Sequence, residues 1–156
     1  MDKMIKQEDY LNTLLALLDE TFDNTQGIYL DKDTSLFRTL ETVSAQEASI
    51  PVGGKCASLA AQVAHVTFYI ESFERFALYN GNSPRDWNEI WRTIEKVTPA
   101  EWEALKSKLK EASLRMDKMF RSNELWNEDT ISGSLSIVVH TAYHLGEIRQ
   151  ALCTLK

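Results

Sequence analysis

The sequence predicts an all-α domain, a four-helix bundle with short extra helices in its connections. Apolar residues recur at three- and four-residue steps through four separate stretches. Serine, threonine, proline and glycine signals fall between those stretches. No segment alternates apolar and polar residues with the period of two that a half-buried strand requires. At 156 residues the chain reads as one domain, 1–156, able to bury a core without disulfides.

The first helix is expected from Lys3 to about Asn24, with Leu11, Leu14, Leu15, Leu18 and Phe22 on one face and Gly27 ending it. In the connector, Asp33, Thr34 or Ser35 caps a short helix carrying Leu36, Phe37 and Leu40, and Ser44 with Glu47 forms a capping-box pattern. Ile50-Pro51-Val52-Gly53-Gly54 breaks the chain before a second long helix, expected from about Cys56 to Tyr79. His65 shares a face there with Ala61, Gln62, Phe68, Tyr69 and Ser72. Asn80-Gly81-Asn82 stops this helix, and Ser83-Pro84 starts a short one with Trp87, Trp91 and Ile94 as its apolar stripe. Thr98-Pro99-Ala100-Glu101 opens the third long helix, whose buried face is Trp102, Leu105, Leu109, Ala112, Met116 and Phe120. After a polar loop from Ser122 to Thr130, the fourth is expected from about Gly133. Helical steps from His140 place Gly133, Ser136, Ile137, Tyr143, His144, Glu147, Ile148 and Ala151 inward. The first two long connections exceed tight hairpins, leaving open a crossover that sets two consecutive helices parallel.

Charge narrows the function classes. A formal charge of −6 and a pI near 5.1, with no local Lys/Arg cluster, argue against a nucleic-acid or anionic-membrane surface. Leu14 to Leu18 is short for a membrane span and follows Glu8 and Asp9, so no signal peptide is expected and the expected location is cytoplasmic. Cys56 and Cys153, without CxxC spacing, are expected as reduced, packed thiols. Cys56 precedes His65 by nine residues and Cys153 follows His144 by nine, half a helical turn out of phase, so neither is expected as a ligand.

The chemistry concentrates in the three histidines. His140 and His144 are four residues apart and project from one helical face, while His65 lies on another helix. Neutral imidazole ligates zinc, nickel, iron and copper, and three such nitrogens with a water in the remaining position make an open site. The alternative is three ordinary, partly buried histidines, each with a hydrogen-bond partner. His140-Thr-Ala-Tyr-His144 lacks the glutamate of His-Glu-x-x-His peptidases, and no Glu-x-x-His of a di-iron carboxylate bundle occurs. Glu147, in phase with both helical histidines, orients a ligand, serves as a base toward a metal-bound water, or lies on the solvated edge. Tyr143 is a wall aromatic or a hydrogen-bonding group toward substrate. Gly146 permits close approach of a neighbouring helix. Trp87, Trp91, Trp102 and Trp126 are core anchors, with the first two as alternative cavity walls.

The run AAQVAH ending at His65 and the final-helix run HTAYHLGEIR resemble the DinB/YfiT superfamily of small helical metalloproteins, in element order along essentially the whole chain. Asp86-Trp87 and Pro99-x-x-Trp102 resemble it more weakly. The resemblance implies up-down-down-up topology, commonly a homodimer, and a divalent metal, often zinc or nickel, on His65, His140 and His144. It also implies a small-molecule substrate, since characterised relatives include transferases that use low-molecular-weight thiols such as bacillithiol or mycothiol, and a thiol-dependent isomerase. Many relatives have no assigned reaction, so a non-catalytic, metal-stabilised binding or stress-response protein is the alternative. The position after the glycine, often glutamine in that family, is Glu147 here, an added negative charge near the metal.

Overall fold

Four long helices carry the core, and each packs against two of the others: α4 against α6 and α7, and α1 against α7 and α6. The structure, a computed structural model, describes residues 4–79, 86–122 and 126–155. Among the described residues the elements are α1 (Gln7–Phe22), α2 (Leu36–Glu41), α3 (Ala45–Ala48), a 3-10 turn (Val52–Gly54), α4 (Leu59–Tyr79), α5 (Glu89–Thr93), α6 (Pro99–Ser122) and α7 (Glu128–Leu155), with no strand. No helix is long and apolar enough to cross a membrane, again among the described residues.

The three- and four-residue spacing selects the buried face of each long helix. Leu14, Leu18 and Phe22 of α1 meet Val63, Val66 and Ile70 of α4, and Ile137, Leu145 and Ile148 of α7 in one core. From α6 come Trp102, Leu109, Ala112, Met116 and Phe120, as expected, with Leu105 half-buried beside them. Full burial of such a side chain contributes about 1.5–3 kcal/mol. Trp102 is also tied by its indole N–H, which donates to Val43 O at 2.8 Å and fixes α6 to the connector.

Both expected capping boxes form. Ser44 N–H donates to Glu47 Oε2 at 2.8 Å and Glu47 N–H to Ser44 Oγ at 3.2 Å. Thr98 N–H donates to Glu101 Oε2 at 2.7 Å and Glu101 N–H to Thr98 Oγ1 at 3.3 Å, which starts α6 at Pro99. Ser35 occupies the N-cap position of α2, but its hydroxyl donates instead to Asp23 O at 2.8 Å.

Other boundaries move, each for a local reason. α1 ends at Phe22, because the N–H groups of Asp23 and Asn24 both turn back to Asp19 O, at 2.8 and 2.9 Å. Gly27, with φ 80°, serves the loop beyond rather than the helix end. α4 starts at Leu59, three residues after Cys56, where Ser58 Oγ accepts the N–H of Ala61 at 3.2 Å. α7 starts at Glu128, five residues before Gly133, because Asn127 and Thr130 cap each other: Thr130 N–H donates to Asn127 Oδ1 at 3.0 Å and Asn127 N–H to Thr130 Oγ1 at 2.9 Å. Lys3, and the signals Asn80-Gly81-Asn82 and Ser83-Pro84, lie outside the described residues.

Three expectations about packing are corrected. Both cysteines are free and exposed, not packed. Cys56 precedes α4, and the half-turn that separates Cys153 from His144 carries it to the solvent side of α7. Gly146 is exposed, with nothing within 4 Å of where a Cβ would stand; the close approach is at Gly133, where a Cβ would lie 2.0 Å from Phe73 Cε2 of α4. Trp87 precedes the short helix α5 and is 45% exposed.

Candidate metal centre

His65 sits a third of the way along α4, and His140 and His144 sit one turn apart on α7, the helix packed directly against it. His65 Nε2 lies 3.1 Å from His140 Nε2. One ligand nitrogen from each of the three rings lies within 4.8 Å of the other two. Two nitrogens bound to one ion at about 2.0–2.1 Å stand about 2.8–3.4 Å apart, for bond angles between a right angle and the tetrahedral value. The His65–His140 pair already has that spacing, and the third ring must approach by no more than the difference between 4.8 Å and that spacing.

Aromatic contacts hold the rings in place. Tyr69 stacks on His140, with centroids 3.7 Å apart and planes 10° apart. Trp91 lies 4.4 Å from the His65 ring, as a wall aromatic of the site, and Tyr143 meets His144 edge-on at 5.0 Å. His144 is buried, while His65 and His140 are half-buried. Glu147 Oε2 lies 2.9 Å from His144 Nδ1, off the line of a ring N–H. Tyr143 hydrogen-bonds the same carboxylate, which, with its charge, raises the phenol's pKa.

The counting that placed Tyr143 inward does not hold, since its side chain is 60% exposed. The buried face of α7 centres on Ile137, Thr141, Leu145 and Ile148, and His140 stands at its edge. At about 100° per residue, a step of three from that edge carries Tyr143 to the solvent side.

Nδ1 of His65 and of His140 are buried and lack a hydrogen-bond partner among the described residues. The alternative of ordinary histidines gives each ring a hydrogen-bond partner; Nε2 of His65 and of His140 face each other, and His144 faces Glu147, while the two Nδ1 atoms have none among the described residues. One proton can bridge two facing Nε2 atoms, whereas a cation engages both lone pairs. Gln62 Oε1, one turn before His65, and Thr141 Oγ1, next to His140, are also buried without partners among the described residues. Nothing in the letters singled out these two oxygens, because their isolation depends on what packs over them.

The protonation state suits a ligand set. Burial pushes the His65 pKa down to about 4, reinforced by His144 and opposed by Glu147. Burial, then His144 and His65, push His140 down to about 4, and burial lowers His144 against the opposing pull of Glu147. All three rings are therefore neutral near pH 7 and present free lone pairs. With folded-state values below the ordinary 6.5, the unfolded chain binds more protons on acidification. The stability from these groups is fully present above pH about 6.5 and is lost as pH falls toward 4. The melting temperature of metal-free protein is thus expected to fall across that window, and the fall should be shallower in a His65→Gln/His140→Gln double variant. Identical acid profiles for the two proteins would contradict this assignment.

No protein-family model, curated protein or solved structure matches this chain.

Proposed function

We propose that the protein is a divalent-metal-dependent enzyme of the DinB/YfiT type, an S-transferase that joins a low-molecular-weight thiol to a small electrophile at a three-histidine centre. The observation that carries this reading is the convergence of His65, His140 and His144 from two helices, with their ligand nitrogens within 4.8 Å. The reading includes a four-helix bundle of up-down-down-up topology, a cytoplasmic homodimer, and zinc or nickel as the ion, with iron also suited to these nitrogens. A divalent ion in this place supplies Lewis-acid chemistry, lowering the pKa of a thiol or water to give a nucleophile near neutral pH.

The chain's own groups prepare the site for it. Three neutral imidazoles would hold the ion without adding negative charge of their own. Tyr69 and Trp91 restrain two of the rings, and Glu147 restrains the third through Nδ1. Glu147 is thus a positioning residue. Glu147→Ala is expected to weaken zinc binding about 10- to 100-fold, read by competition with a chromophoric chelator, and Glu147→Gln less, because its amide oxygen keeps an acceptor beside Nδ1. Unchanged affinity in the alanine variant would remove that role.

The direct test incubates metal-loaded protein with bacillithiol or mycothiol and a panel of small electrophiles. Metal-dependent conjugate formation is expected, and its absence across the panel with both thiols would contradict the enzymatic reading. The close packing of Trp91 and Tyr69 on two rings favours a second reading, a non-catalytic binding or stress-response protein in which the ion only ties α4 to α7. Under it, chelation lowers the melting temperature while no electrophile is turned over.

A further inference from the structure

A cavity of about 620 Å3 opens at the N-terminal end of α4, and its lining includes Lys55, Cys56, Ser58, Ala61, Trp91 and Lys96. That volume lies within the range of about 300–1,000 Å3 usual for small-molecule sites. Its charge runs against the rest of the chain. The protein carries a net −6, yet Lys55 and Lys96 face only Glu95 among the cavity's charged residues. Neither lysine has a carboxylate within ion-pair distance among the described residues. The positive end of the α4 dipole adds to the same sign.

The cavity also adjoins the histidines. Trp91 both lines it and lies 4.4 Å from the His65 ring. Ala61 of its wall precedes His65 by four residues, about one turn or 6 Å along α4.

We infer that this cavity binds a small organic anion, a carboxylate or phosphate, whose charged end is held by Lys55 and Lys96 and whose apolar part lies on Trp91. The anion is the small-molecule substrate of the reaction proposed above; that role rests on the proposed function, while the binding itself does not. The lysines supply charge-assisted hydrogen bonds to the head group, and Trp91 sets the remainder against the wall of the histidine cluster.

Cys56 offers a local reporter, since its exposed thiol lines the cavity, and Cys153, exposed on α7, serves as an internal reference. Zinc-treated protein is alkylated with iodoacetamide, and modification at each cysteine is followed by mass spectrometry. Succinate, inorganic phosphate and the neutral isostere succinamide are compared at equal ionic strength. Succinate or phosphate is expected to slow labelling of Cys56 saturably and to leave Cys153 unchanged, with succinamide without effect; the anion that protects at lower concentration identifies the head group. In a Lys55→Gln/Lys96→Gln variant, protection should need about tenfold more anion, with zinc content unaltered. The inference is overturned if neither anion protects Cys56, if succinamide protects equally, or if the double variant behaves as wild type. Anion protection in a protein that takes up no zinc would sink the proposed function and leave the cavity standing; zinc uptake without protection would do the reverse.

Discussion

His65→Ala is expected to lower zinc affinity by at least about 100-fold, since loss of even an outer hydrogen-bond partner of a ligand costs about 10–100-fold. Turnover should fall with it. The ring lost is the one α4 brings to His140 and His144. Two histidines on a single turn of α7 remain, and a water must complete the set. The metal-free variant should stay folded, because the substitution also removes a buried Nδ1 that has no partner among the described residues. Metal-dependent stabilisation separates the two proteins: with free zinc at about 1,000 times the wild-type Kd, wild type gains about 4.1 kcal/mol. The variant should gain a small fraction of that, as elemental analysis and thermal unfolding with and without chelator would show. Intact metal content with unchanged activity would count decisively against the account.

The second large effect is expected far from the histidines, at Glu20. This carboxylate is 0% exposed and accepts four backbone N–H groups: Gln26 and Ile28 on Oε2 at 3.3 and 2.9 Å, Tyr29 and Leu30 on Oε1 at 2.9 and 2.7 Å. Burial alone would raise its pKa, yet the N–H groups of Tyr29, Leu30, Ile28 and Gln26 together outweigh that and hold it below the ordinary 4.5. Removing the side chain leaves those donors unpaired and frees the loop that follows α1. Glu20→Ala should lower the melting temperature by on the order of 5 °C or more. Glu20→Gln should also destabilise, because its NH2 group meets donors rather than acceptors. The sign with pH follows from the lowered pKa: the contribution is complete above pH 4.5 and is lost as pH falls through the folded-state value, so variant and wild type converge in acid. A melting temperature matching that of wild type at pH 7 would refute the anchoring role.

What could be read from the letters was what depends on nearby letters. The four-residue step between His140 and His144, the boxes at Ser44/Glu47 and Thr98/Glu101, and the stripe from Trp102 to Phe120 are each written within a few helical turns. Their geometry follows from the helix itself. Glu20 went unread because its partners are backbone N–H groups six to ten residues on, which carry no side-chain signature. The start of α7 was misplaced because Thr130 fills the position that Glu or Gln occupies in the familiar capping box. The exposure of Tyr143 and the contact of Gly133 with Phe73 depend on where a neighbouring helix lies, which the period of a single helix does not state. For the same reason the meeting of His65 with the α7 pair was legible only as an expectation; the packing of α4 on α7 is what brings the rings together.

The most direct test is X-ray absorption spectroscopy of zinc-loaded protein beside its His65→Ala variant. Three imidazole nitrogens at about 2.0–2.1 Å are predicted in the wild type, one fewer in the variant. A zinc environment with no imidazole, one with sulfur at about 2.3 Å from Cys56 or Cys153, or spectra identical in the two proteins would contradict a centre built on His65, His140 and His144.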